Sequence, residues 1–168
     1  HEAYGGQVFH GGGGGGGVWS SVFDAVRWEA HGWVGTEINY DLDDLFQGTA
    51  YQLRAGLVLR LLRRLTVDID FTHRAMFRPD GEQQYHVELV RTVALLALTH
   101  DLWLRTVLDV DTYDEDLALQ VLAGFTPAPG TALYLGYVGT SSWGHDCLSD
   151  DSHGVFLKVQ WQFMPGAG

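Results

Sequence analysis

Apolar and polar residues alternate strictly along several strand-length segments of this 168-residue chain. In residues 65–72 every odd position is apolar and every even position is polar. Successive side chains of a β-strand point to opposite faces, so this segment predicts a strand with one aliphatic face and one face that carries Asp68 and Asp70. In a soluble sheet the charged face would meet water. In a membrane barrel the aliphatic face meets lipid and the charges point into the lumen.

Nine further segments complete a predicted set of ten strands. Clear alternation marks residues 51–61, 102–110, 117–125 and 155–163, and weaker alternation marks residues 4–10, 18–29, 33–40, 84–96 and 131–139. The clear segments are close to the 9–11 residues with which a tilted strand crosses a bilayer. Arg91 falls on the apolar side of its segment, which predicts a bulge or a register shift there.

Short and long connections alternate between these segments. The short ones are residues 30–32, 62–64, 98–100 and 127–130, and the long ones are residues 41–48, 77–83, 111–116 and 140–154. This alternation is typical of outer-membrane barrels with short periplasmic turns and longer extracellular loops. Ten strands would place both ends of the barrel on the short-turn side. The glycine run at residues 11–17 is predicted to be a loop or linker.

The predicted fold is therefore an all-β, antiparallel up-and-down transmembrane β-barrel of about 10 strands (8–10). We divide the chain into a Gly-rich N-terminal segment (1–17) with a first strand and a loop, the barrel (18–164) and a C-terminal tail (165–168). A soluble sandwich or a lipocalin-like barrel with apolar residues inside is the alternative.

Composition favours the membrane barrel. Lys158 is the only lysine, so the polar faces carry arginine and aspartate, which suit a packed polar interior better than a water-facing surface. Aromatic residues lie near the segment ends, as in the girdles of outer-membrane barrels. The net charge of −11, without a basic patch, argues against a nucleic-acid partner. No apolar run is long enough for a transmembrane helix, and the single cysteine, Cys147, excludes an intrachain disulfide.

Three sequence segments carry a resemblance to a known family. They are T-H-D-L-W-L-R at 99–105, P-A-P-G-T-A-L-Y-L-G-Y at 127–137 and V-F-L-K-V-Q-W-Q-F at 155–163. This part of the chain resembles the end of an uncharacterised family of bacterial surface proteins that join an N-terminal carbohydrate-binding-like domain to a C-terminal outer-membrane β-barrel. The resemblance implies that the chain corresponds to part or all of the barrel. It implies no carbohydrate binding, because nothing in the chain matches the N-terminal domain.

The alternation assigns candidate residues to the two faces of the barrel. The predicted lumen-lining residues include Glu37, Arg54, Arg60, Asp68, Asp70, Arg105, Asp109 and Lys158, together with Glu88. The predicted lipid-facing residues are Leu57, Val67, Ile69, Leu119, Val159 and Trp161. Charges of both signs inside a narrow barrel are expected to pair and to fill the lumen, because an unpaired buried charge is costly. The alternative is a polar conduit whose charges set selectivity.

No enzyme activity, metal site or cofactor is expected. His145, Asp146 and His153 share a predicted loop, but no metal or hydrolase motif accompanies them, and solvent-exposed loop histidines are the preferred interpretation. The expected function is structural or anchoring, in the bacterial outer membrane, with the lipid bilayer, lipopolysaccharide and other envelope proteins as partners. The alternatives are a narrow pore or uptake barrel for small solutes and a soluble lipocalin-like ligand-binding barrel.

Overall fold

The computed structural model describes residues 2–4, 7–41, 43–144 and 147–161, and these residues form an all-β protein. None of them belongs to a helix that could cross a membrane. The strands are β1 (Glu2–Tyr4), β2 (Gln7–Phe9), β3 (Gly13–Phe23), β4 (Val26–Asn39), β5 (Phe46–Leu61), β6 (Leu65–Phe77), β7 (Gln83–Ala97), β8 (Leu102–Asp111), β9 (Asp116–Ala128), β10 (Thr131–Gly144) and β11 (Cys147–Trp161).

Strands β3 to β11 form one antiparallel meander in which each strand pairs with its neighbours in sequence. The sheet therefore has nine strands, and β1 pairs with β2 in a separate hairpin. Strands β3 and β11 are the two edges and, over the residues that the structure describes, do not pair with each other, so the sheet is open. The predicted antiparallel up-and-down arrangement is confirmed.

The first predicted strand, residues 4–10, does not join the main sheet. Its C-terminal part forms β2, which pairs with β1. The sheet consequently has nine strands instead of the expected ten. Its first strand, β3, begins at the end of the sheet with the long loops, and its last strand, β11, ends at the end with the short turns. The expectation that both ends lie on the short-turn side is wrong for this sheet.

Two predicted connections are also wrong, because pairing with neighbouring strands extends the strands beyond the alternating segments. The first turn is formed by Asp24 and Ala25, whereas residues 30–32, predicted as a turn, lie inside β4. The long predicted loop at 140–154 is mostly strand, since β10 reaches Gly144 and β11 begins at Cys147.

The glycine run, predicted as a loop, contributes residues 13–17 to edge strand β3. Backbone pairing with β4 forms this strand, and two side chains of β4 explain why glycine suits it. A Cβ atom at Gly17 would lie 2.2 Å from Nδ1 of His31, and one at Gly13 would lie 2.9 Å from the Trp33 ring. Glycine leaves room for rings this close to the backbone, so the run can pair with β4 beneath His31 and Trp33.

The cross-strand register assigns every side chain of the sheet to one of two faces. On one face Leu57, Ile69, Leu108 and Leu119 lie in a single row across β5 to β9. The neighbouring positions Asp68, Asp70 and Asp109 belong to the opposite face. We call these the aliphatic face and the charged face.

The charged face is concave. Tyr85 Oη of β7 donates a hydrogen bond to Glu37 Oε2 of β4 at 3.3 Å, three strand intervals away. Three intervals span about 14 Å in a flat sheet, which exceeds the combined reach of the two side chains, so the sheet curls toward this face. The largest fully buried side chains, Met76 and Val107, also lie on this face. The aliphatic face is therefore convex.

No second layer covers the aliphatic face within the described part of the chain. The buried apolar residues of the described chain are Phe9, Ala50, Ala75, Met76, Val107 and Ala132, and of these the register places only Ala75 on the aliphatic face. The chain exposes 11775 Å², whereas a compact monomer of 18.6 kDa would expose about 8,200 Å². This excess of exposed area is the one expected of a single curled sheet with a wide apolar surface.

Candidate functional site

The concave face carries all of the lumen-lining residues predicted by alternation except Glu88. The register places Glu37, Arg54, Arg60, Asp68, Asp70, Arg105, Asp109 and Lys158 on it. Glu88 instead lies on the convex face, opposite His73. The residues therefore share a face as the alternation required, but whether that face encloses a lumen stays a prediction.

A three-residue cluster spans the concave face near the long-loop end. Arg74 Nη2 donates to Glu37 Oε1, and Tyr85 Oη donates to Glu37 Oε2. The Arg74 guanidinium also lies 6.0 Å from the centre of the Tyr85 ring. These contacts connect β4, β6 and β7, so the cluster holds the curvature of the sheet as well as neutralising two charges.

A second ion pair lies deeper along the same face. Arg91 Nε is 3.7 Å from Asp109 Oδ1, and the register also places Asp70 opposite Arg91. The pairing of β7 is regular on both sides of Arg91, so the predicted bulge there is wrong. Alternation misassigned Arg91 because both faces of β7 carry aliphatic residues. The signal that could have identified its face is the pair of aspartates on β6 and β8.

Several charges on the concave face have no ion pair with another described residue. They include Arg54, Arg60, Asp68, Asp70 and Arg105. A groove of about 890 Å³ passes between Glu29, Arg54, Asp70 and Arg74, and Trp33 forms part of its wall. The expected network that pairs all charges is thus present only in part, and the middle of the concave face stays accessible.

Aromatic rings cover the concave face toward the short-turn end. A Cβ atom at Gly124 would lie 2.3 Å from the Trp103 ring, and one at Gly136 would lie 2.1 Å from the Phe156 ring. Tyr134 packs edge-on against Trp103, and the Lys158 ammonium lies 5.8 Å from the Tyr134 ring. Each ring lies over a glycine of the neighbouring strand, as in aromatic rescue of glycine in β-sheets. These rings therefore cover part of this end of the concave face, and a cavity of about 550 Å³ remains beside Tyr134 and Gln160.

The convex face carries the predicted lipid-facing residues Leu57, Val67, Ile69, Leu119, Val159 and Trp161. On β11 this face is the most exposed: Val155, Leu157, Val159 and Trp161 are exposed by 74%, 70%, 63% and 78%. Their lipid-facing role stays a prediction.

Tyrosine–histidine pairs lie on the convex face at the long-loop side of the aliphatic residues. Tyr51 Oη is 2.9 Å from His73 Nε2, and His73 Nδ1 is 3.1 Å from Glu88 Oε1. Tyr137 Oη is 2.6 Å from His153 Nδ1. The aliphatic residues are thus bordered by side chains that combine a ring with a polar group. Such side chains favour a water–lipid boundary.

The aliphatic residues of the convex face form a band that runs obliquely to the strands. Val26 of β4 and Val155 of β11 belong to one register row. On β4 the band extends from this row toward the long loops, whereas on β11 it extends toward the short turns, as far as Trp161. From each strand to the next, the band shifts by about one residue along the strand. This shift corresponds to strands that are tilted by about 35° from the perpendicular to the band.

Two of the histidine-loop residues, His145 and Asp146, lie outside the described residues. Among the described residues, no three His, Cys, Asp or Glu side chains converge as metal ligands. Comparisons with known protein families, with curated proteins and with solved structures found no match to this chain.

Proposed function

We propose that this chain is an outer-membrane β-barrel in the bacterial cell envelope, with a structural or anchoring role. In this proposal the convex face meets the lipid bilayer and lipopolysaccharide, and the concave face becomes a polar, mostly filled lumen. Its partners besides lipid are other envelope proteins. The resemblance of its C-terminal part to the barrels of bacterial surface proteins is consistent with this role.

The oblique aliphatic band is the observation that carries the proposal. A membrane presents hydrocarbon as a flat slab, so the apolar residues of tilted strands must shift in register from one strand to the next. Strands of membrane barrels tilt by about 35–45°, and the shift observed here corresponds to about 35°. A soluble lipocalin-like barrel has less support, because it needs the aliphatic residues on the concave face.

Tryptophan fluorescence in vesicles of brominated phosphatidylcholine tests the proposal. Trp28 lies on the convex face and Trp103 on the concave face. Two variants, each retaining one of these tryptophans with phenylalanine at the other five positions, form a matched pair. Bromine quenches on contact, so we expect strong quenching of Trp28 and weak quenching of Trp103. Equal quenching, or folding in buffer without lipid or detergent, would contradict the proposal.

A narrow conduit is the second candidate function, favoured by the groove at Arg54 and Asp70. Charged residues that lack ion pairs along a barrel interior can attract ions. The aromatic cover at Trp103 and Phe156 argues for a closed passage instead. Planar-bilayer conductance distinguishes the two. The structural role predicts no steady current, and Phe156→Ala would open a current only if that ring blocks a conduit.

A further inference from the structure

The two edges of the sheet each leave one side without a strand partner. Among the described residues, strand β3 pairs only with β4, and β11 pairs only with β10. An unpaired backbone N–H or C=O in hydrocarbon costs several kcal/mol, so neither edge can stay open if the sheet lies in a bilayer. We propose that β3 and β11 pair with each other in parallel and close the nine strands into one barrel. This inference rests on the proposed function.

The strand count determines the direction of this seam. Each step from β3 to β11 is antiparallel, and there are eight steps. Strands β3 and β11 therefore run in the same direction, from the long-loop end to the short-turn end. Closure within the chain requires one parallel pair, in contrast to the all-antiparallel closure of bacterial barrels with an even number of strands.

The curvature of the sheet favours closure within one chain over closure by a second copy. Glu37 of β4 contacts Tyr85 of β7 across three strand intervals. In a nine-strand barrel three intervals turn through a third of the circumference, so side chains that point inward meet. Two copies would form an eighteen-strand barrel, the size of open porins, in which the same interval turns through half that angle.

The aliphatic band also fits across the seam. On the convex side of β3, Val18 and Phe23 are exposed by 58% and 70%. Continuing the shift of the band by about one residue per strand places residues 18–23 beside residues 155–161 of β11. On the concave side β3 presents Gly13 and Gly17, which lie beneath Trp33 and His31, and Trp19, which is 74% exposed. Pairing would therefore place the apolar convex residues Val18 and Phe23 beside those of β11 and leave Trp19 and the glycines inside.

Disulfide trapping tests the seam in vesicles. In a Cys147→Ser background, Ser20→Cys is combined in turn with Val155→Cys, Leu157→Cys or Val159→Cys, all on the convex face. A disulfide needs Cα atoms within about 7 Å, so oxidation should yield an intramolecular bond in at least one pair. The matched control, Ser20→Cys with Leu108→Cys, has the same chemistry on the far side of the barrel and should yield none.

The outcomes separate the two proposals. An intramolecular disulfide in vesicle-inserted protein supports the seam. Only disulfide-linked dimers, or no disulfide in any pair of inserted protein, would overturn the seam and leave the membrane role intact. Protein that does not insert, as judged by flotation with the vesicles and by a heat-dependent gel shift, would overturn the proposed function and the seam with it.

Discussion

The convex and concave faces of this sheet are formed by the same strands with nearly the same residue spacing, but they carry different kinds of side chain. Along the middle of the convex face the side chains are almost all aliphatic, and nothing in the described chain covers them. The concave face mixes ion pairs, unpaired charges and aromatic rings. In the proposed membrane role, the convex face meets an external apolar phase, whereas the mixed concave face needs only partners or water.

This difference shows that the alternation of apolar and polar residues reflects a different constraint on each face of the sheet. On the convex side it specifies the surroundings of the sheet, and on the concave side it specifies contacts within the sheet. A substitution should therefore be judged by its face before its residue type. The predictions below compare matched positions on the two faces or along one of them.

The largest effect is expected from placing an arginine on the convex face. Leu119→Arg lies near the middle of the aliphatic band, and Gln120→Arg is the next residue of β9, on the concave face. An arginine near the midplane of a bilayer costs about 2–4 kcal/mol on the lipid-facing side of a barrel. We expect a loss of this size for Leu119→Arg and a change below about 0.5 kcal/mol for Gln120→Arg.

Urea unfolding of vesicle-inserted protein, followed by tryptophan fluorescence, measures both variants against the unmodified chain. The comparison cancels the effect of the added charge on the unfolded state, since both variants gain the same residue on the same strand. Similar losses for the two variants would mean that the faces do not differ in environment.

Sequence alternation predicted the faces well because the side-chain period of a strand is fixed at two. Once a segment such as 65–72 is recognised, the face of each of its residues follows, and the register agrees for Asp68, Asp70, Val67 and Ile69. Alternation failed for Glu88 and Arg91 on β7, where Val87, Leu89, Val93 and Leu95 place aliphatic residues on the charged face. In such a strand only the neighbours reveal which face is which.

The ends of the strands and the glycine part of β3 could not be predicted from the local pattern of apolar and polar residues. Residues 13–17 have no side chains and hence no alternation; they form a strand by pairing with β4, and glycine leaves room there for His31 and Trp33. Contacts between distant strands, such as Glu37 with Arg74 and Tyr85, depend on the curvature of the whole sheet. The sequence contains the residue types of this cluster but no local signal that brings them together.

A smaller effect is expected from disturbing the aromatic cover of the concave face. Gly136→Ala would place a Cβ atom 2.1 Å from the Phe156 ring, whereas Gly154→Ala, at an open position of the adjacent strand, meets nothing within 4 Å. We expect Gly136→Ala to lose about 1–3 kcal/mol through overpacking and Gly154→Ala to lose much less.

The same unfolding assay checks this pair, and a second-site variant identifies the cause. Phe156→Ala should remove most of the additional penalty of Gly136→Ala, because it removes the ring that the new methyl group meets. If the penalty persists without the ring, the glycine is required for another reason and the aromatic cover is not the explanation.

The two ion pairs of the concave face should differ in their coupling energy. Glu37 and Arg74 share a direct hydrogen bond and the Tyr85 hydroxyl, whereas Arg91 and Asp109 are 3.7 Å apart and more exposed. Double-mutant cycles with Glu37→Gln and Arg74→Gln should give a coupling of about 0.5–1 kcal/mol. The cycle with Arg91→Gln and Asp109→Asn should give less than about 0.3 kcal/mol. Single-variant losses of about 3–5 kcal/mol would instead indicate a dry interior.

The smallest effect is expected in the β7–β8 turn, which belongs to neither face. His100 Nδ1 lies 2.7 Å from Asp101 Oδ1, and this hydrogen bond together with the charge of the carboxylate raises the pKa of His100 above its ordinary value. A raised pKa in the folded state stabilises the protein at pH values below the unfolded-state pKa. That contribution disappears as the pH rises through the folded-state pKa.

Proton NMR titration of His100 in micelles checks this directly. Asp101→Asn keeps a hydrogen-bond acceptor but removes the charge, so the pKa of His100 should fall toward the ordinary histidine value. Because His100 is fully exposed, Asp101→Asn should leave the urea midpoint nearly unchanged at neutral pH. A large loss of stability in this variant would mean that the short turn stabilises the sheet through contacts other than this pair. The expectation that substitutions on the two faces cost more stability than substitutions in the turn would then be wrong.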